Sequence, residues 1–211
     1  MKIAVIDYDI GNVQSIQNAL SSIGEIDIVL TCNETEIIEA DGVILPGVGA
    51  FKKGMQELKK RNLPIILDNY VSTGKPLFGI CLGMQLLFDK GEEFGITDGL
   101  GLINGTVKKF PKALNAKLPH ISWNEIEYGN IEWEDSILRD INNKEDMYFV
   151  HSYICLPEDD SVILSKTEYG AINFCSSIQK DNIYACQFHP EKSGKNGLKI
   201  MNSFVELVQQ K

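Results

Sequence analysis

The stretch Pro76-Leu77-Phe78-Gly79-Ile80-Cys81-Leu82-Gly83-Met84-Gln85 restricts the folds open to this chain more than any other. A strand-like apolar run ends in a small–x–nucleophile–x–small sequence, and Leu86-Leu87-Phe88 continue at once as a helix-like run. Glycine tolerates tight turns that a Cβ would block. A strand that turns sharply into a helix pushes the turn residue out at the top of a sheet. The stretch therefore predicts a nucleophile elbow, and the side chain it presents is the thiol of Cys81. At a helix N-terminus, backbone N–H groups and the helix dipole favour the thiolate over the thiol.

The chain before the elbow alternates in period. Residues 3–6 read as a buried strand, and residues 7–11 as a loop. Residues 12–23 carry Val13, Ile16, Ala19, Leu20 and Ile23 at helical spacing, with Gly24 as a C-cap. Residues 26–30 predict a strand, 33–39 a short acidic helix and 42–45 a strand ending in Pro46-Gly47-Val48-Gly49. Helices follow over 51–60 and 65–71, then a strand over 76–80. Such alternation with apolar strands predicts a mostly parallel sheet covered by helices on both faces. Beyond residue 101 the segments shorten and alternate. Residues 101–104, 106–110, 120–127, 146–151, 161–167, 171–179 and 183–188 read as an appended mixed or antiparallel region. A helix over 197–208 closes the chain. No linker rich in Pro, Gly or Ser interrupts it, so residues 1–211 are expected to form one α/β domain.

Composition excludes several classes. The net charge is −9, which disfavours nucleic acid and anionic membrane as partners. No apolar stretch approaches the roughly 18 residues of a membrane span. Asp7 interrupts the apolar start, a pattern that predicts no secretory leader. The five cysteines, Cys32, Cys81, Cys155, Cys175 and Cys186, are odd in number and form no C-x-x-C pair. That suits a reducing cytoplasm, with the four besides Cys81 as inert apolar filler. The three histidines are scattered with no carboxylate cluster around them, so neither a metal nor another cofactor is expected.

A nucleophilic thiol needs a base and an anion hole. His189 lies in Gln187-Phe188-His189-Pro190-Glu191, at a predicted strand end, and strand C-termini form the active edge of such sheets. A histidine there is ordinarily a structural hydrogen-bonder. Glu191, two residues on, is placed to orient the imidazole and stabilise its charged form. Pro46-Gly47-Val48-Gly49 reads either as a plain turn before a helix or as a flexible strand offering an oxyanion N–H. A second such donor is the N–H of Leu82. His120 and His151 read as polar residues beside strands, and Trp123 suits core or surface equally.

In this order and spacing the elbow and the His-x-Glu resemble the class I (triad) glutamine amidotransferases. The runs Asp7-Tyr8-Asp9-Ile10-Gly11-Asn12, Pro46-Gly47-Val48-Gly49-Ala50-Phe51, Gly99-Leu100-Gly101, Pro119-His120-Ile121-Ser122-Trp123-Asn124 and Tyr148-Phe149-Val150-His151-Ser152-Tyr153 extend the likeness nearly end to end. They look like the branch whose members form a heterodimer with a (β/α)₈ cyclase partner. The resemblance implies hydrolysis of glutamine to glutamate and ammonia by Cys81, His189 and Glu191. It implies oxyanion N–H groups at Gly49 and Leu82. It places glutamine against Gly47, Gln85 and Glu93 and the backbone of Ser152 and Tyr153. It turns Gly11, Asn12, His120, Trp123, Tyr148 and Lys192 toward the cyclase, which would use the ammonia in forming an imidazole ring with release of an aminoimidazole ribotide, a step of histidine biosynthesis. One departure is Ser122, where the branch usually has glycine. It leaves open a paralogous role, supplying ammonia for surface-sugar amidation. A cysteine peptidase on the same scaffold and a catalytically silent binding subunit are the other readings.

Overall fold

A computed structural model describes residues 1–210. The elements run β1 Lys2–Ile6, α1 Val13–Ile23, β2 Asp27–Thr31, α2 Glu34–Glu39, β3 Gly42–Leu45, α3 Phe51–Lys60, α4 Leu63–Ser72, β4 Leu77–Ile80 and α5 Leu82–Leu86. There follow β5 Phe88–Gly91, β6 Thr97–Asp98, β7 Ile103–Lys109, β8 His120–Tyr128, β9 Glu145–His151, β10 Tyr153–Pro157, β11 Ile163–Tyr169, β12 Ile172–Lys180, β13 Ile183–Cys186 and α6 Gly194–Gln209.

One sheet carries the chain, in the order β2-β1-β3-β4-β13-β12-β10-β7-β5-β6. The block β2-β1-β3-β4-β13 is parallel throughout. The rest is mainly antiparallel, with β11 on β12, β8 on β11 and β9 on β8. Side chains alternate across the parallel block as the pleat requires. Ile3 and Val5 of β1 pack on one face with Ile16 and Leu20 of α1 and Ile200, Met201 and Phe204 of α6. Ala4 and Ile6 pack on the other with Ile37 of α2, Met55 and Leu58 of α3, and Ile66 and Leu67 of α4. Helices thus cover both faces of a mostly parallel block, the class expected from the alternation.

Several local expectations are corrected. Leu86-Leu87-Phe88 do not begin a helix; α5 ends at Leu86 and Phe88 opens β5. Short apolar runs do not distinguish a buried helix from a buried strand. Residues 101–104 and 106–110 are not two strands. β7 runs through Gly105, whose φ of +142° puts its Cα against the Leu156 carbonyl of β10, where a Cβ would lie 2.4 Å away. The region 183–188 is strand only to Cys186. β6 and β10 were not anticipated. Gly24 caps α1 with an extended φ of 168°, not a left-handed one. Cys32 is exposed, unlike the other cysteines, so it is no core filler.

Candidate active site

The elbow forms between β4 and α5, and the left-handed backbone falls on Cys81 itself, with φ 55° and ψ −109°. A non-glycine residue in that region is strained by about 1–3 kcal/mol and persists only where its surroundings hold it. Here the Cys81 N–H donates to the Cys186 carbonyl at 2.8 Å, which ties the turn to β13. The flanking glycines serve close approach more than torsional freedom. A Cβ on Gly83 would stand 1.9 Å from the Leu45 carbonyl oxygen of β3. Only glycine lets α5 settle that deeply onto the sheet.

β13 lies beside β4 in parallel register, Cys186 opposite Ile80. That adjacency carries the segment after β13 to the elbow, although 108 residues separate Cys81 from His189. The His189 N–H donates to the Tyr148 carbonyl at 2.9 Å, and the Ser193 hydroxyl donates to the His189 carbonyl at 2.7 Å while accepting the Tyr148 N–H at 3.0 Å. β9 therefore holds the His189 segment at both ends. The sequence assigned Ser193 no role, because that role exists only once β9 and this turn are adjacent.

His189 and Cys81 line one cavity of about 430 Å³, together with Val48, Gly49, Gln85 and Glu93. The His189 Nδ1 bonds Oε1 of Glu191 at 2.8 Å, and both side chains are almost wholly buried. Nε2 on the far side of the ring is buried with no bonded partner, as is Oε2 of Glu191. Burial alone would push the imidazole pKa down. Negative charge on the Cys81 sulfur across the cavity, and the bonded Glu191 carboxylate, outweigh burial and hold it up at about 10. The arrangement therefore favours a protonated imidazole in the cavity that holds the Cys81 sulfur, with Glu191 bonded behind it.

The remaining sequence candidates divide. Gln85 is buried on the cavity wall, its amide nitrogen donating to Gln187 Oε1 at 2.9 Å and to the Tyr153 carbonyl at 3.3 Å. Glu93 lines the cavity, but one carboxylate oxygen accepts the Phe51 N–H at 2.7 Å, so it caps α3 and leaves the other oxygen for a cation. Ser152 and Tyr153 line the cavity too. The Tyr153 carbonyl already accepts from Gln85 and from His151 Nδ1 at 2.8 Å, and the Ser152 carbonyl accepts the Phe110 N–H. Gly49 stands at the mouth with φ +95° and open space around it. Gly47 is buried beneath, and its carbonyl accepts the Leu82 N–H at 3.3 Å. In this conformation the Leu82 donor is engaged and faces no empty anion hole.

Of the expected partner-facing residues, Trp123 is 52% exposed and stands edge-on to Tyr148. Lys192 is exposed, while Gly11, Asn12 and Tyr148 are half-buried. His120 is fully buried, sandwiched between Tyr169 and Phe149. It bonds His151 at 3.0 Å and Asn124 at 2.8 Å, so it reaches the surface only through Asn124. Among the described residues no metal-binding cluster occurs, and no helix is long and apolar enough to cross a membrane.

Comparison with known proteins points one way. Residues 4–207 match the family model described as glutamine amidotransferase class-I. The chain is 45% identical over 204 residues to the imidazole glycerol phosphate synthase subunit HisH of Aquifex aeolicus (strain VF5), covering 97% of this chain and 96% of that protein. It is 44% identical over 206 residues to imidazole glycerol phosphate synthase subunit HisH 1 of Campylobacter jejuni subsp. jejuni serotype O:23/36 (strain 81-176), covering 97% and 100%. Among solved structures it resembles PurLQS from Thermotoga maritima with a TM-score of 0.73 at 17% identity, covering 97% of each chain, a likeness of fold alone.

Proposed function

The chain belongs to the class-I glutamine amidotransferase family, and we propose that it is the glutaminase subunit of imidazole glycerol phosphate synthase. It hydrolyses glutamine to glutamate and ammonia for histidine biosynthesis. The observation that carries the chemistry is the shared cavity of Cys81 and His189, with Glu191 bonded behind the imidazole. The near-full-length likeness to HisH proteins carries the pathway. On this reading residues 1–211 act as one amidotransferase domain in the cytoplasm, docked on a cyclase of (β/α)₈ type that takes the ammonia.

The cycle follows from the groups present. The Cys81 thiolate attacks the side-chain carboxamide carbon of glutamine, giving a tetrahedral oxyanion. The unpaired Nε2–H of the His189 imidazolium gives its proton to the amide nitrogen, the C–N bond breaks, and ammonia leaves behind a glutamyl thioester. Water then attacks the thioester while His189 takes its proton. The C–S bond breaks, glutamate leaves, and the thiolate–imidazolium pair is restored. Glu191 holds the ring orientation and its charge throughout. One oxygen of Glu93 remains for the substrate ammonium.

The oxyanion needs donors that the resting conformation withholds. The Gly47 carbonyl occupies the Leu82 N–H. A peptide group carries its C=O and N–H on opposite edges. Turning the Gly47–Val48 peptide would withdraw that carbonyl and swing the Val48 N–H inward, so on this reading the strand's donor is Val48 in place of the Gly49 that the resemblance implied, and Gly49, at φ +95°, is the permissive joint. Docking of the cyclase triggers the turn, so glutamine is not wasted when the subunit is alone. The measurement is glutamine-dependent ammonia release with and without the cyclase, with Cys81→Ala as the control. Release that Cys81→Ala abolishes, and that the cyclase raises, is the expected result. No release from folded protein in either condition would favour a silent binding subunit. Equal turnover alone and in complex would refute the turning peptide. The surface-sugar reading rests on Ser122 alone, and the HisH relatives favour the histidine pathway over it.

A further inference from the structure

Gln187 takes no part in the cycle above, and it is wholly buried behind the cavity wall, between β13 and His189. Its backbone N–H donates to the Ser176 carbonyl of β12 at 2.8 Å. Its side-chain oxygen accepts from Gln85 Nε2 at 2.9 Å, and its side-chain nitrogen donates to the Cys81 sulfur at 3.7 Å.

The direction of these amides is forced. The Tyr153 carbonyl can only accept, and the Gln85 amide lies on it at 3.3 Å, so the Gln85 NH₂ must face that carbonyl. Gln187 must then offer its oxygen to the Gln85 NH₂. Its own NH₂ is left facing the sulfur. Flipping either amide would set two acceptors or two donors against each other in a buried site, at the cost of an unmade hydrogen bond. A backbone carbonyl of β10 thus fixes, through two amides, an N–H donor aimed at Cys81. The Val150 carbonyl stands 3.9 Å from the same sulfur and suits the thiol as an acceptor for S–H. The sulfur sits between one group that favours its neutral form and one that favours its anion.

We propose that Gln187 is a further catalytic residue, whose Nε2–H stabilises the Cys81 sulfur anion before attack and again as it leaves the thioester. The proposal rests on Cys81 being the nucleophile. A hydrogen bond to a charged partner is worth more than one between neutral groups, because it persists where water is excluded. The other titratable neighbours do not substitute for it. Tyr8, Cys155 and Cys186 also feel charge on Cys81, but burial pushes each of them up and keeps them neutral. His189 supplies the opposing charge, but its proton leaves with the ammonia and is regained from water in each turn of the cycle.

The test is the pH profile of Cys81 alkylation by iodoacetamide in the full chain, read by peptide mass spectrometry in a Cys32→Ser background. Gln187→Met keeps the length of the side chain and removes the donor. Its acid limb should move to higher pH by about one unit, with the rate on the alkaline plateau unchanged. Gln187→Glu keeps the size and the acceptor for Gln85 but sets a carboxyl against the sulfur, so its limb should move further in the same direction. If the Met variant does not fold, the Glu variant decides. An acid limb that stays in place, or a rate lowered equally at every pH, would overturn the proposal, since a packing role predicts one of those. Alkylation does not depend on glutamine turnover. Wild-type protein that released no ammonia would defeat the functional reading while leaving the profile to judge Gln187.

Discussion

Gly83→Ala should separate the elbow from the sheet and remove activity out of proportion to its size. The added Cβ would lie 1.9 Å from the Leu45 carbonyl oxygen and 2.9 Å from the Leu45 carbon, whereas Cβ contacts under 3.0 Å essentially do not occur. The obstacle is backbone of β3, which is held between β1 and β4 and cannot swing aside as a side chain would. α5 must therefore retreat by about 1 Å. Overpacking of this kind costs about 1–3 kcal/mol, and in a chain of this size each kcal/mol lowers Tm by about 2–4 °C. The catalytic effect should be larger. Cys81 precedes α5 directly, so its sulfur moves with the helix relative to His189 and Gln187, and a displacement near 1 Å costs about 10²-fold in rate. The assay pairs thermal melting with ammonia release in the presence of the partner subunit, measured well below the melting temperature. A folded Gly83→Ala protein with wild-type turnover would refute the reasoning, because the close approach would then place nothing that matters.

Because the folded state favours protonated His189, the stability this group contributes is complete below its ordinary pKa of 6.5 and is lost as pH rises through about 10. Ammonia release should accordingly fall on an alkaline limb near pH 10, and Glu191→Gln should move that limb down by about one unit or more; an unmoved limb would show that Glu191 does not sustain the imidazolium. Tyr8 donates its buried hydroxyl to the Pro46 carbonyl at 2.7 Å, holding the strand whose Gly47 carbonyl blocks Leu82. Tyr8→Phe removes about 1 kcal/mol from that resting state and should raise ammonia release by the subunit alone roughly fivefold; release that is unchanged or lower in a folded variant would count against the latch.

The parts of the site readable in sequence are those whose partners lie nearby along the chain. Cys81 was legible because its turn is written in the residues around it, and His189 with Glu191 because two residues separate ring from carboxylate. The parallel half was legible because buried strands and amphipathic helices differ in period. β10 was not, since a short apolar run carries no period of its own, and β5, Phe88-Asp89-Lys90-Gly91, is too short and mixed to show one. Glu93 illustrates the limit at a single residue. The resemblance set it against glutamine, but one of its oxygens caps α3 through Phe51, 42 residues away.

Local sequence thus determined which chemistry this protein carries: a thiol on a strained turn, an imidazole with its carboxylate, and a covered parallel sheet to mount them. Tertiary structure alone decided what surrounds that chemistry. Inserting β13 beside β4 brought Gln187 onto the sulfur and His189 into its cavity, and packing Gly47 under the elbow set a carbonyl on the Leu82 N–H. The division has a physical cause. Backbone preference and hydrophobic period act over a few residues, whereas a hydrogen bond between groups a hundred residues apart exists only after the strands that carry them have found their order in the sheet.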